Sequence, residues 1–305
     1  MSKTACVFPG QGSQSVGMLK ELAEQYSVVV DTFTEASDAL NYDLWKLVQE
    51  DDGTHLNQTH ITQPALLTAS VAAWKVLKAE TQITPEFLAG HSLGEYSALT
   101  CSGVLTLQDA VKVVQARGEF MQQAVPAGTG AMYAIIGLDD SSIIDICNKV
   151  SQEACQVVSA VNFNSPGQVV IAGQKEATEQ AAALCKEAGA KRALPLAVSV
   201  PSHCALMKPA AEKLETLFAD LSFHKPEVRV VNNVDVSIET QQDKIKDALL
   251  RQLYMPVRWT ETVLYLSDQG ITNVIEVGPG KVLTGLNKRI NKSLALSSFN
   301  QPSDL

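Results

Sequence analysis

No uninterrupted apolar run in this 305-residue chain is long enough to cross a bilayer, so a membrane span is not expected. Cationic side chains are in deficit: 24 Lys and Arg against 33 Asp and Glu give a formal charge of −9. Non-specific nucleic-acid binding needs a basic surface and is disfavoured by that balance, although a local basic patch remains compatible with it. Cys6, Cys101, Cys147, Cys155, Cys185 and Cys204 lie far apart, with no Cys-x-x-Cys pair. This spacing points to reduced, mostly buried thiols rather than a disulfide framework. The opening stretch MSKTACVFPGQG lacks the apolar segment of a secretory signal, and the expected location is cytoplasmic. Repeats and low-complexity tracts are missing too. What remains, 46% hydrophobic and 19% charged, describes a globular chain with a sizeable core, in one large domain or two modest ones.

The first third alternates strands and helices. ACVF (5–8) reads as a strand that breaks at Pro9-Gly10, and EFLAG (86–90) as a second, followed by a helix from Ser92. PALLTASVAAWKVLKAE (64–80) reads as a helix with Pro64 in its first turn, where a missing N–H has no helical partner. Another helix runs from Leu107 to just before Pro126. Such alternation predicts a parallel sheet covered by helices. Residues 130–197 change rhythm to β-α-β-β-α-β, ending in the strand KRALPLAV (191–198), which is the ferredoxin-like order. Strands at 228–234 and 273–278 follow, with helices near 242–253, 259–269 and 280–290. The expected fold class is therefore α/β. A large α/β-hydrolase-like domain with a parallel sheet core occupies 1–126 and 199–305, and a small ferredoxin-like domain is inserted at 127–198.

Gly90-His91-Ser92-Leu93-Gly94 lies where the strand pattern becomes a helix pattern. A Gly-x-Ser-x-Gly turn in that context leaves the serine oxygen exposed at a helix N-terminus, with the Leu93 N–H as a natural oxyanion donor. The alternative is a glycine-rich turn in which Ser92 only caps the helix. A serine nucleophile needs a base. Of the five histidines, His91 adjoins Ser92, and His55, His60 and His224 sit in polar contexts typical of solvated side chains. His203, in SVPSHCALM after the inserted unit, ends an apolar strand and is the best-placed candidate, against a capped or core role. Arg117 falls on the apolar stripe of its helix, beside Val114 and Met121. A guanidinium there requires an anion, either a core carboxylate or a carboxylate on the substrate. PGQGSQ (9–14) matches neither the P-loop nor Gly-x-Gly-x-x-Gly, but it stands at a strand's carboxyl end, where its backbone is available as a second oxyanion donor.

FPGQGSQ, TQPAL (62–66), GHSLGEYSAL (90–99), Arg117, VPSH (200–203) and EVGPGKVL (276–283), in that order, resemble one family across nearly the whole chain. It is the malonyl-CoA:acyl-carrier-protein transacylases of fatty-acid synthesis, with the acyltransferase domains of polyketide and fatty-acid synthases. The resemblance implies Ser92 as the acylated nucleophile and His203 as base and then acid. It implies the N–H groups of Gln11 and Leu93 as the oxyanion hole, and Arg117 as partner of the malonyl carboxylate. Gln252 matches the residue whose main-chain carbonyl orients the histidine, and Gln63 and Asn162 match positions lining the substrate site. The implied partners are malonyl-CoA and a phosphopantetheinylated acyl carrier protein, with no metal or redox cofactor, no nucleic acid and no membrane. Lys281, Lys288, Arg289, Lys292, Lys191 and Arg192 are the candidate docking cations. Synthase-embedded relatives often carry an aromatic residue before the histidine. Here the sequence is Pro-Ser-His, so extender preference read from that motif does not transfer.

Two rival readings make different demands. A serine esterase or thioesterase of the α/β-hydrolase type needs a catalytic acid between Ser92 and His203, yet Asp109, Asp139, Asp140 and Asp145 all fall at helix starts or turns. A non-catalytic carrier-binding scaffold has no need of Ser92, His203 and Arg117 together. An acyltransferase with a different acyl-CoA preference also fits the motifs.

Overall fold

The computed structural model describes residues 3–197 and 200–305. Strand β1 (Lys3–Phe8) is buried along its last four residues, as a central strand of a parallel sheet must be. Helices α1 (Lys20–Gln25), α2 (Ser27–Leu40), α3 (Leu44–Glu50) and α4 (Thr59–Glu80) precede β2 (Phe87–Gly90). Then come α5 (Leu93–Cys101) and α6 (Leu107–Ala124). A second unit is built from β3 (Gly130–Ile136), α7 (Asp140–Ala154), β4 (Val158–Ser165), β5 (Gln168–Gln174), α8 (Lys175–Glu187) and β6 (Arg192–Pro195). The chain ends with α9 (Lys208–Ala219), β7 (Arg229–Val231), α10 (Gln242–Tyr254), α11 (Trp259–Asp268), β8 (Ile271–Val277), α12 (Val282–Ile290) and β9 (Ala295–Phe299).

The first sheet has the order β7-β2-β1-β8-β9, and every pairing in it is parallel. The second has the order β4-β5-β3-β6, antiparallel throughout. That is the strand order of a ferredoxin-like unit, so the α/β class with a parallel sheet and a second antiparallel one is what the molecule adopts. Along β5 the side chains alternate: Val169 and Ile171 face α7 and α8, whereas Val170 and Ala172 pack with Met132, Val161 and Cys204 on the side of the large unit. Register shifts in β4 next to Asn162, and Val257 takes up the freed backbone there: Phe163 N–H donates to its carbonyl (3.0 Å) and its N–H donates to Val161 (2.8 Å). This splice joins the edge of the small sheet to the loop before α11.

Several elements differ from expectation. Helix α4 begins at Thr59, not at Pro64, so the proline lies in the second turn and the bond it would have donated back to the His60 carbonyl is forfeited. The start is pinned by α6, where a Cβ on Gly118 would sit 2.6 Å from the His60 Cα. That places His60 at a helix contact rather than in a polar loop. Strand β7 stops at Val231, because Asn232 and Asn233 turn away to other partners. The strand expected over 191–198 forms only over Arg192–Pro195, and its last residue, with the expected boundary at 198, lies outside the described residues. Helices α1 to α3 and strand β9 were not anticipated. Cys6, Cys147, Cys185 and Cys204 are buried and all six thiols are free, while Cys155 is exposed. Among the described residues no helix is long and apolar enough to cross a membrane.

Candidate active site

β1 and β2 end level with one another, Phe8 beside Gly90, so the loop after β1 and the turn after β2 meet at the carboxyl edge of the sheet. The glycines around Ser92 are there for clearance. A Cβ on Gly94 would collide with the Phe8 carbonyl, and one on Gly90 with the backbone of Gly94. Ser92 itself has φ 51° and ψ −108°, a conformation that L residues rarely adopt. Asn233 holds it there. The Ser92 N–H donates to Asn233 Oδ1 (2.8 Å), and Asn233 Nδ2 donates to the Gly90 carbonyl (2.7 Å). The Ser92 side chain makes no capping bond to α5, so the capping alternative is not what the turn provides.

The Ser92 hydroxyl instead meets His203, with Oγ 2.8 Å from Nε2. The other ring nitrogen, Nδ1, lies 2.7 Å from the Gln252 main-chain carbonyl. A carbonyl only accepts, so Nδ1 carries the proton and Nε2 presents its lone pair to the serine. Burial, followed by the positive charge of Arg117, pulls the His203 pKa down to about 3, which keeps the imidazole neutral. None of the four aspartates required by the hydrolase reading takes the place of the carbonyl. Asp109 pairs with Thr106, and Asp139 caps α7.

Arg117 is 1% exposed. Its Nη1 donates to Gln63 Oε1 (2.7 Å), and its Nη2 to Gln252 Oε1 (3.0 Å) and Ser92 Oγ (3.3 Å). Among the described residues no carboxylate forms an ion pair with it, and its Nε has no partner. Burial accordingly lowers its pKa. The core ion pair weighed against a substrate carboxylate is not formed. The desolvated guanidinium is held by neutral amides, a hydroxyl and the Tyr96 ring, 5.4 Å from its centroid, an environment that favours an incoming anion.

A cavity of about 350 Å³ opens onto this cluster, lined by Gln11, His91, Ser92, Asn162, Leu196 and His203 among others. Among the described residues the amides of Gln11 and Leu93 donate to no other group. Leu93 is the first residue of α5, so its N–H is one of the helix's free donors. Gln63 is fully buried between Arg117 and Thr59, and the Asn162 side-chain oxygen is buried with no partner among the described residues. The remaining histidines are engaged elsewhere or exposed. His91 Nε2 pairs with Asn164 (2.7 Å), His55 with Asp51 (3.0 Å), and His224 is on the surface. Burial pushes the Cys204 thiol up to about 11, so it is no nucleophile. A wider depression of about 600 Å³ lined by Val30, Thr34 and Trp45 holds no nucleophile and base in contact.

Two residues of this cluster were missed in the sequence. Asn233 lay inside what read as a strand, although two adjacent asparagines in an apolar run are poor strand formers and marked the break. Glu95 follows the serine by three residues on α5, and a carboxylate at that helical spacing faces the same side as Ser92.

The sequence pattern of the acyl transferase domain matches residues 5–298. A malonyl CoA-acyl carrier protein transacylase of Haemophilus influenzae is 63% identical over 98% of this chain and 96% of its own. The crystal structure of an acyl carrier protein S-malonyltransferase from Vibrio cholerae superposes with a TM-score of 0.97 at 63% identity, covering 99% of this chain and 98% of that one. A malonyl-transacylase solved in complex with a type II polyketide-synthase acyl-carrier protein superposes with a TM-score of 0.97 at 58% identity, covering 99% of this chain and 97% of its own. The chain belongs to the acyl transferase family.

Proposed function

We propose that the protein transfers the malonyl group of malonyl-CoA to the phosphopantetheine thiol of acyl carrier protein through a malonyl-Ser92 ester, supplying extender units for fatty-acid synthesis. The observation that carries the choice of acyl group is Arg117, a buried cation that no carboxylate contacts directly among the described residues, 3.3 Å from the Ser92 oxygen. A malonyl thioester brings a carboxylate a short reach from its reacting carbonyl, and a guanidinium takes such a group in two parallel hydrogen bonds. Gln63 and Gln252 hold the guanidinium in place from either side.

His203 removes the Ser92 proton as the oxygen attacks the thioester carbonyl, and the negative charge develops against the N–H groups of Gln11 and Leu93. The imidazolium, steadied by the Gln252 carbonyl, gives its proton to the departing CoA thiolate. The carrier's thiol then enters, loses its proton to the same histidine and attacks the ester, regenerating Ser92. Asn162 lines the mouth through which both thiols pass. The ferredoxin-like unit, roughly 127–198, is a domain inserted between the nucleophile and base halves of the large one. The working site is the cytoplasm.

Intact mass tests the reading directly. Mixing with malonyl-CoA should add one malonyl group, Ser92→Ala should remove that adduct, and phosphopantetheinylated carrier protein should discharge it. An adduct lost to water as fast as to carrier would instead favour the esterase reading.

A further inference from the structure

Glu95 is a carboxylate that the transfer chemistry leaves unused, 2% exposed and one turn behind Ser92 on α5. Its Oε2 accepts from Gln252 Nε2 (2.8 Å) and from the Asn233 backbone N–H (2.9 Å). Gln252 therefore works twice. Its main-chain carbonyl holds His203, while its side-chain amide bridges Glu95 and Arg117.

A buried side-chain amide has two orientations, which exchange its donor and acceptor ends. The Gln252 Nε2 end faces acceptors only: Glu95 Oε2, the Ser92 carbonyl (3.0 Å) and, at 3.4 Å, Asn233 Oδ1. The Oε1 end faces Arg117, which is only a donor. Turning the amide over would set oxygen against a carboxyl oxygen and NH₂ against a guanidinium. Glu95 supplies the shortest of the contacts that forbid this. Burial raises its pKa to about 7, yet Oε2 still accepts, as a carbonyl oxygen, when the other oxygen carries a proton.

We propose that Glu95 is a positioning residue for acyl selection: it locks the Gln252 amide with its oxygen toward Arg117 and so fixes the guanidinium that faces the acyl carboxylate, without touching the substrate. The proposal rests on Arg117 being the partner of that carboxylate. Hydrogen-bond acceptance, not charge, is the property used. Glu95→Gln can place its oxygen where Oε2 lies and keep both bonds, whereas Glu95→Ala loses both. Gln252→Met keeps the main-chain carbonyl on His203 and removes only the amide link.

The readout is the ratio of kcat/KM for acyl-enzyme formation with malonyl-CoA to that with acetyl-CoA, with KM and kcat reported separately. Arg117→Ala serves as the reference and should lower the ratio by at least about tenfold. Glu95→Ala should lower it by about threefold or more, chiefly through KM for malonyl-CoA, as expected for a neighbour coupled to the binding group. Glu95→Gln should hold the ratio within about twofold, the level of an uncoupled change. Gln252→Met should match Glu95→Ala, and the double variant should fall no further than Gln252→Met alone. An unchanged ratio in Glu95→Ala beside a fall in Arg117→Ala overturns the role of Glu95. An unchanged ratio in Arg117→Ala overturns the reading of Arg117 beneath it. Equal falls in Glu95→Ala and Glu95→Gln would make the charge responsible and overturn the amide lock. Should Glu95→Ala fail to fold, an unchanged ratio in Gln252→Met overturns the proposal by itself.

Discussion

A histidine that is to take a proton from a serine has to be neutral when the substrate arrives. In His203 this is arranged by burial first and by the nearby Arg117 charge second. On the proposed reading the substrate itself removes the second cause, because a malonyl carboxylate paired with Arg117 would cancel its charge and leave the imidazole a better base as the thioester docks. An acetyl group has no carboxylate with which to do so. The pH dependence of acetyl-CoA turnover therefore separates the two causes. With Arg117→Ala the His203 pKa rises, more of the ring is protonated at a given acidic pH, and the acid limb of kcat/KM should move to higher pH than in the wild type. The measurement is initial rates of acyl-enzyme formation from acetyl-CoA across about pH 2–8, a range that spans both the depressed His203 value of about 3 and the ordinary histidine range. An acid limb at the same pH in both proteins would assign the depression to burial alone.

At the scale of elements, the strand-turn-helix of β2 and α5 was legible because its chemistry is steric. Two glycines are required where α5 crosses the end of β1, and a sequence shows glycines plainly. Substituting one of them should be costly in a way that glycine's own flexibility does not explain. In Gly94→Ala the new methyl meets the Phe8 carbonyl, a backbone atom of the central strand that cannot swing aside. We expect a loss of about 1–3 kcal/mol, as for overpacking elsewhere, and a fall in Ser92 acylation as the helix backs away. Gly285→Ala is the control: this glycine lies in α12 with nothing within 4 Å, and alanine there should stabilise the protein by up to about 1 kcal/mol and so raise the melting temperature. Thermal unfolding of both variants checks the contrast, and similar shifts would refute the steric account. Less was legible where tertiary contact overrode local pattern. Pro64 advertised a helix start, but the contact of Gly118 with His60 extends α4 by five residues on its N-terminal side. β9 is an edge strand with alternating exposure, in a segment whose composition, ALSSF, carries little apolar signal. Asn233 could not be found from spacing, because its work is to bond two residues more than 140 positions away.

For the whole molecule, the site lies between the carboxyl edge of the parallel sheet and the ferredoxin-like unit, so a carrier protein delivering a thiol must approach across both. The chain carries a charge of −9, so a carrier protein of acidic charge would meet a mean electrostatic repulsion. Binding must then depend on local cations. Lys281, Lys288, Arg289 and Lys292 are exposed on and beside α12, and Lys191 and Arg192 are exposed in the small unit. They are bound together structurally, since Arg289 of α12 hydrogen-bonds Gln168 of β5 (2.5 Å). A docking cation of this kind contributes chiefly to encounter, and its effect is screened by salt. Lys288→Glu and Lys191→Glu should each raise KM for carrier protein by about threefold to tenfold at low ionic strength, within the range of rim charges that govern association. KM for malonyl-CoA should change little, because neither residue lines the cavity over Ser92. The comparison is steady-state transfer with each substrate varied in turn, repeated at two salt concentrations. A true docking residue shows a carrier-specific effect that shrinks as salt rises. If a reversal raised both KM values alike, or if its effect were indifferent to salt, that side chain would belong to an ordinary solvated face, and the carrier would have to be met by the other cations of the cleft's rim.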